Sequence, residues 1–390
     1  MSHNPVNLIC TGTFTFPDGM AGTQLVKRFV NYCIEHNCNV HVITILQRLN
    51  KQDKNNYKGL YRNKVLYLNL GIVSGIKILD LLQYPFVMLY SMLLLLLWKK
   101  PSAKNVFYVY DNVNLFNVIP VMFSRLIGYK VVVEIVEDFS LSKEPASFVR
   151  KLNIKTALFL ENYTAKLAHS VIVISKYLEN KFKLLLRGTI PVLLIPVSTE
   201  INGYYAHPQL EKSFSFLYAG TFAKKDGLDT LVQAFDIFSQ KYPLVQLNLV
   251  GKTNHEDHIN SLLINDKVKY LGTFPDKEYY DVLHKSDVLC VTRTNSGFAN
   301  AGFPFKIAEY LSTGVPVICT DVSDIRYYLE DHRDAVIINP DDVPELVNAM
   351  EYLYVNREKA AEIGNNGRKK AELFFNSKTN GKMFLDYISS

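Results

Sequence analysis

Short apolar runs alternate along this chain with longer segments in which apolar residues recur every three or four positions. In the first half, Asn7 to Thr11, Val40 to Leu46, Val65 to Leu70, Val106 to Tyr110, Lys130 to Ile135 and Ser170 to Ile174 read as strands. Several are apolar throughout instead of alternating, as strands covered on both faces of a sheet must be. A second series follows, with strands Ser215 to Ala219, Val245 to Val250, Val268 to Leu271, Val288 to Thr292 and Val315 to Cys319. Helices Leu228 to Gln240, Asp276 to Lys285 and Lys306 to Ser312 lie between them, and in the first of these Leu228, Leu231, Val232, Phe235 and Phe238 form one apolar face. This rhythm predicts an α/β protein of parallel sheets with helices on both faces.

The stretch IPVSTEINGYYAHPQLEKS, rich in Pro, Gly and polar residues, separates the two series and reads as a linker. The expected organisation is a first domain at 1–195, a linker at 196–213, a second domain at 214–370 and a C-terminal helix at 371–390. Asp342 with Glu345 three residues on resembles a capping box that starts a helix from Val343 to Tyr354. Gly314 stops the preceding helix, and Lys369 to Ile388 looks helical.

With 390 residues, 48% hydrophobic and 21% charged, the chain has the balance of a globular protein of two or three domains, which excludes disorder as its main state. The net charge of +6 is not gathered into any long block of Lys and Arg, so no nucleic acid is expected as a partner. Weak attraction to an anionic membrane surface or substrate stays open. The five cysteines (Cys10, Cys33, Cys38, Cys290, Cys319) show no CxxC pair and read as reduced, mostly buried thiols. His255 and His258 read as a solvated surface pair, and no metal is expected. The N-terminus enters a strand without a basic region and apolar core, so a cytoplasmic location is expected, with peripheral contact at the inner face of the membrane as an option. Phe86 to Trp98 is thirteen uncharged residues ending at Lys99 and Lys100. Spanning a bilayer takes about 20 apolar residues. A buried helix is the preferred reading and a helix dipping into one leaflet the alternative, which changing Leu94 and Leu96 to Glu would test.

Ligands of open α/β sheets bind beyond the carboxyl ends of the strands, which makes the loops there the candidate sites. The first runs from Thr11 to Thr23. Gly19 and Gly22 let the backbone approach a ligand, and a helix beginning near Gly22 aims N–H groups at the same place. It is neither a GxGxxG fingerprint nor a P-loop. The second runs from Arg293 to Pro304 and leads into a helix with Lys306 and Glu309. Pro304 suits the first helical turn, the free N–H groups there attract an anion, and Lys306 adds positive charge. Glu309, on the same face, can accept hydrogen bonds from vicinal hydroxyls such as those of a ribose. A diphosphate plus a ribose fits this set, and a plain i, i+3 ion pair on a surface helix is the alternative. In a third loop, Tyr218 to Gly227, Gly220 permits a sharp turn and Lys224 or Lys225 could reach a phosphate, although solvated lysines would look the same.

From Phe216 to Pro340 above all, and over nearly the whole chain more loosely, the sequence resembles glycosyltransferase family 4, the retaining GT-B or group 1 glycosyltransferases. LYAGTFAKKDGLDTLVQAF is similar to the family's glycine, lysine, glycine turn before the first donor-domain helix, and AGFPFKIAEYLSTGVPVICTD to its donor-site signature. SVIVISKYLENKF and IPVST are similar to the end of its acceptor domain and its linker. The resemblance implies a GT-B fold, two Rossmann-like domains facing each other across a cleft. In it 1–195 would hold the acceptor, 214–370 the nucleotide-sugar donor, and 371–390 would return to the first domain. The family signature has two glutamates separated by seven residues. Glu309 matches the second, and Ala301 stands at the first, whose carboxylate faces the transferred sugar in the family. The acceptor-domain histidine has no evident counterpart, and KVVVEIVEDFS offers Glu134, Glu137 and Asp138 instead.

The implied reaction moves a sugar, with retention at the anomeric carbon, from a UDP- or GDP-linked donor to a glycan or lipid-linked acceptor, as in surface polysaccharide or glycoconjugate biosynthesis. It needs neither cofactor nor metal, because lysine, arginine and a helix N-terminus stabilise the departing diphosphate. Lys225 and Lys306 would contact the diphosphate, with Gly220, Lys224, Arg293, Gly302, Phe303 and Pro304 around the donor and Gly19 and Gly22 near the phosphates. Glu309 would hold the ribose, and Glu137 or Asp138 would act at the acceptor hydroxyl. Two other readings share the fold: a nucleotide-sugar epimerase, and an inactive GT-B partner subunit suggested by Ala301.

Overall fold

In the computed structural model, which describes residues 5–19, 21–45, 57–71, 82–141, 148–201, 213–252 and 256–390, the strands assemble into two sheets. The first contains β1 (Val6–Gly12), β2 (Asn39–Ile45), β3 (Lys58–Tyr61), β4 (Val65–Leu70), β5 (Lys104–Tyr110), β6 (Lys130–Ile135), β7 (Ser170–Val173) and β8 (Val192–Leu194). Their order is β3-β4-β2-β1-β5-β6-β7-β8, and only β3 runs antiparallel to its neighbour. The second contains β9 (Phe214–Ala219), β10 (Val245–Val250), β11 (Val268–Tyr270), β12 (Val288–Val291), β13 (Val317–Thr320) and β14 (Val336–Ile338), all parallel, in the order β11-β10-β9-β12-β13-β14.

The chain divides into two units, Met1–Pro196 with Ser377–Ser390, and Val197–Asn376. The start of the expected linker falls beside that division, and 202–212 lies outside the described residues, as do Leu46 and His255. In the second unit the apolar face of helix Leu228–Lys241 packs Phe235 and Phe238 on Phe216 of β9, with ring centroids 6.1 and 5.4 Å away. Burying each such ring contributes about 1.5–3 kcal/mol.

The first unit is completed by the C-terminal helix Ser377–Ser389. Phe384 stacks on Phe29 of helix Ala21–Glu35 at 4.3 Å and meets Tyr108 of β5 edge-on. Asn380 donates to the Pro196 carbonyl (3.1 Å) and Tyr387 to that of Pro191 (2.8 Å). The helical stretch expected from Lys369 to Ile388 is therefore two helices, Arg357–Phe374 and Ser377–Ser389, broken at Phe375 and Asn376.

Helix Tyr84–Leu97 is neither wholly buried nor free. Tyr84, Met88, Ser91, Leu94 and Leu95 face inward, while Phe86 and Leu97 keep 72% and 67% of their surface in solvent. Among the described residues no helix is long and apolar enough to cross a membrane.

Candidate functional site

Among the parallel strands of each sheet the order reverses direction at one place: between β1 and β5 in the first, between β9 and β12 in the second. Crevices beyond the carboxyl ends of strands at such reversals are where open α/β sheets hold ligands. In the second unit the two loops flanking the reversal are those after β9 and after β12, which carry Gly220 to Gly227 and Arg293 to Pro304.

Lys306, on helix Phe305–Thr313, is the centre of this site. Its ammonium donates to the Tyr218 hydroxyl (2.6 Å) and lies 3.1 Å from Asp226 Oδ1. It passes Gly220 so closely that a Cβ there would stand 2.2 Å from Nζ. The Gly220 position is thus fixed by the lysine as much as by the turn. Gly227 has a left-handed φ of +64°, and a Cβ on it would lie 1.9 Å from the Thr292 carbonyl, which fastens the β9 loop to the β12 loop. The Thr294 N–H donates to the Lys225 carbonyl at 3.0 Å across the same seam.

Electrostatics knit these groups together. Burial lowers the Lys306 pKa from its ordinary value, Asp226 opposes that, and Arg293 and Lys225 add to the lowering. Burial also works against ionisation of Asp226, but Lys306, then Arg293, outweigh it and hold the carboxyl at about 2. Three cations with one carboxylate between them leave a positive surplus, as a bound polyanion requires. Lys225 additionally sits over the Phe298 ring at 4.7 Å, while Lys224 is exposed.

Helix Phe305–Thr313 is anchored by Tyr310, whose hydroxyl accepts from the Ala219 N–H (2.7 Å) and donates to the Ala219 carbonyl (3.2 Å). Pro304 is the residue before the first turn, not in it, and provides no side-chain cap, so the turn's N–H groups are not taken by a capping side chain. Glu309 follows one turn after Lys306 and accepts from the Tyr279 hydroxyl at 3.3 Å. Gly302 has an extended backbone that any residue adopts, with φ −89° and ψ 179°. The Phe303 ring packs against Tyr328 and Phe375, leaving its backbone as the part able to meet a ligand. Ala301 ends helix Gly297–Ala301 with no exposed surface.

In the first unit the glycines of the opening loop have a packing reason. A Cβ on Gly19 would lie 2.2 Å from the hydroxyls of both Thr15 and Thr23, and one on Gly22 would lie 2.6 Å from the Tyr110 hydroxyl. Asp138 is engaged four times over, accepting from the Ser140 N–H (3.0 Å) and hydroxyl (2.6 Å), the Tyr177 hydroxyl (3.0 Å) and the Lys181 ammonium (3.0 Å). Burial opposes its ionisation, but Ser140 and Lys181 hold its carboxyl below the usual range. A carboxylate so occupied is a brace for its loop, not a base for a substrate hydroxyl. Glu134 is wholly buried, accepts from the Tyr108 hydroxyl, and is pushed up to about 8 by burial, with the Tyr108 bond opposing and Asp111 adding. Glu137, half-buried, raises the neighbouring Asp111 carboxyl, which burial first and Glu137 second bring to about 7.

Sequence reasoning did not single out Tyr218, Asp226, Tyr279 or Asp111. Asp226 stands in the KKDG turn next to two residues that were named, and Asp111 follows β5 directly at the reversal of strand order. That position was the available signal.

Residues 206–370 match the family model described as Glycosyl transferases group 1. The whole chain is similar to sucrose-phosphate synthase from Thermosynechococcus elongatus, at a TM-score of 0.74 and 16% identity over 98% of each chain. The fold is GT-B. A second GT-B likeness is to Anabaena HepE solved with UDP and glucose, at a TM-score of 0.72 and 17% identity over 98% of this chain and 99% of that one. The capsular polysaccharide biosynthesis glycosyltransferase CapM of Staphylococcus aureus is 26% identical over 175 residues, 44% of each protein. The chain spans less than half the length of the curated relatives it matches.

Proposed function

We propose that this protein is a retaining glycosyltransferase moving a sugar from a UDP- or GDP-linked donor to a glycan or lipid-linked acceptor, in surface polysaccharide or glycoconjugate biosynthesis. The observation that carries the reading is Lys306, held between Asp226, Tyr218 and the bare face of Gly220 at the reversal of strand order. When a diphosphate enters, Lys306 turns from Asp226 to the phosphate oxygens, with Lys225 and Arg293 beside it and the first turn of helix Phe305–Thr313 behind. Negative charge grows on the leaving diphosphate in the transition state, so cations fixed there lower the barrier and serve without a metal. Glu309 receives the ribose hydroxyls, oriented by Tyr279. Retention follows if a leaving phosphate oxygen assists attack from its own face while the protein aligns the two substrates. Glu137 is the side chain assigned to the acceptor hydroxyl. HepE, of the same fold, was solved with UDP and with UDP-glucose, which supports a nucleotide-sugar donor here.

Calorimetric titration of the protein and of Glu309→Ala with UDP, GDP, ADP and CMP, without added metal, tests the reading. Binding of one diphosphate, weakened in the variant, is expected, and binding of none would overturn it. The buried Ala301 favours one second reading, a partner subunit that binds nucleotide without turnover. Product formation with any acceptor excludes that.

A further inference from the structure

Helix Tyr84–Leu97 carries no Lys, Arg, Asp or Glu. Its inner stripe packs Tyr84 and Met88 with Ile45 of β2 and Phe116, and its outer stripe, Phe86, Leu89, Leu93 and Leu97, is equally apolar and between 48% and 72% exposed. A helix covering a sheet in water ordinarily turns charged residues outward. The neighbouring helix Val118–Leu126 packs beside it and repeats the pattern, with Ile119, Met122 and Leu126 exposed at a spacing of three and four. Tyr84 packs against the ring of Phe116 (4.3 Å), just before the second helix, and the hydroxyl of Tyr129, just after it, donates to the Leu95 carbonyl (2.7 Å), so the two helices are held side by side, each with its apolar stripe exposed. Exposed apolar surface of this kind marks a contact site.

Among the described residues, the charges on and directly after the two helices are cationic. Lys99 and Lys100 follow the first helix and are exposed, Arg125 in the last turn of the second is half-buried and donates to the Ala168 carbonyl (3.0 Å), and neither helix contributes an acid. The Lys99 ammonium donates to the Ile127 carbonyl at 2.5 Å, which fixes cations at the shared end of both helices. Fourteen residues of helix are about 21 Å long, too short to span a bilayer and long enough to lie along one. Leucine is under-represented among the anchors of protein interfaces, where Trp, Tyr and Arg dominate, whereas fluid acyl chains ask for no shape match from a leucine-rich stripe.

We infer that helices Tyr84–Leu97 and Val118–Leu126 form a docking face for the surface of a bilayer containing anionic phospholipid, with the apolar stripes entering the acyl boundary and Lys99 and Lys100 meeting the headgroups. The inference rests on this surface alone and stands or falls apart from the transfer reading.

Flotation of the full chain with vesicles of phosphatidylglycerol and phosphatidylcholine in equal parts, beside vesicles of phosphatidylcholine only, tests it. The wild type is expected to float with the mixed vesicles. Leu89→Glu/Leu93→Glu lowers the partition coefficient by about tenfold or more, and Lys99→Glu/Lys100→Glu lowers it by about fivefold per cation and weakens its salt dependence. Leu184→Glu, at a 78% exposed site on another helix, leaves it unchanged. Melting curves by circular dichroism check folding, and Leu89→Ser/Leu93→Ser replaces the Glu pair if that pair does not fold. The inference is overturned if the wild type does not float, if the stripe variants float as well as it does, or if light scattering shows a dimer that the stripe variants dissociate, which would make the occupant a second copy.

Discussion

The Lys306 ammonium stands 3.1 Å from an Asp226 oxygen, in space that stays open because residue 220 has no side chain. Gly220→Ala would put a methyl group 2.2 Å from that ammonium. It would also stand 2.5 Å from the hydroxyl of the buried Tyr218, so both side chains must shift and the melting temperature is expected to fall by several degrees. Displacing the lysine removes a charge-assisted contact, and nucleotide affinity is expected to fall by about tenfold. Calorimetry giving the wild-type affinity would mean that Lys306 does not touch the phosphates.

Asp226 also sets an acid limit on the second unit. Its carboxyl is held at about 2, below its unfolded value. A depressed acid contributes stability above the unfolded pKa and loses it as the pH falls through the folded one. The side chain is 5% exposed, so the contribution is about 2 kcal/mol, present near neutrality and lost between about pH 4 and pH 2. Asp226→Asn should remove it at pH 7 and flatten the acid limb in urea titrations. An unchanged limb would count against the ion pair.

Asp138 and Glu137 are neighbours with separate expected roles. Asp138→Ala takes the acceptor from the Tyr177 hydroxyl, leaves Lys181 with Glu161 alone (2.7 Å), and should cost about 1–3 kcal/mol in stability. Glu137→Gln should leave the melting temperature nearly unchanged while lowering kcat by about a hundredfold or more. If the two variants exchange these effects, the assignment at the acceptor is wrong.

Glu134 predicts the opposite pH behaviour. Burial raises its pKa to about 8, so the folded state keeps its proton where the unfolded chain has lost it. Such a group contributes stability below the unfolded pKa, near 4.3 by roughly ordinary glutamate values, and loses it as the pH rises toward 8. Glu134→Gln keeps an acceptor for Tyr108 without the ionisation. It should match the wild type at pH 5 and melt several degrees higher at pH 8, and a parallel loss in both proteins would refute this.

The strands of both sheets were legible because burial on two faces writes them as continuous apolar runs, and Lys130–Ile135 and Val245–Val250 have the expected bounds. Missed were Lys58–Tyr61, Val192–Leu194 and Val336–Ile338, four residues or fewer and at sheet edges, where the periodic signal is shortest. The capping box was half right. Asp342 accepts from the Glu345 N–H (2.9 Å), but the Glu345 carboxylate turns back to the Asn339 N–H (2.8 Å). In the site, Lys306 and Gly220 were readable as single residues, whereas their contact across 86 positions was not. Of the two leucines chosen to probe the apolar segment, Leu94 faces the core and Leu96 solvent, a distinction that a helix apolar all round conceals.

The C-terminal helix gives the two units different histories. Val197–Asn376 is one unbroken stretch and can close as soon as it has been synthesised. The unit that begins first cannot: Phe384 is the far wall of a core whose other members, Phe29 and Tyr108, are made hundreds of residues earlier. During translation the later unit is therefore expected to be complete first, while Phe29 and Tyr108 of the earlier one still lack the ring that packs on them. A stop codon before Ser377 would be felt most at the opposite end of the chain, as a proteolysis-sensitive first unit beside an intact second one.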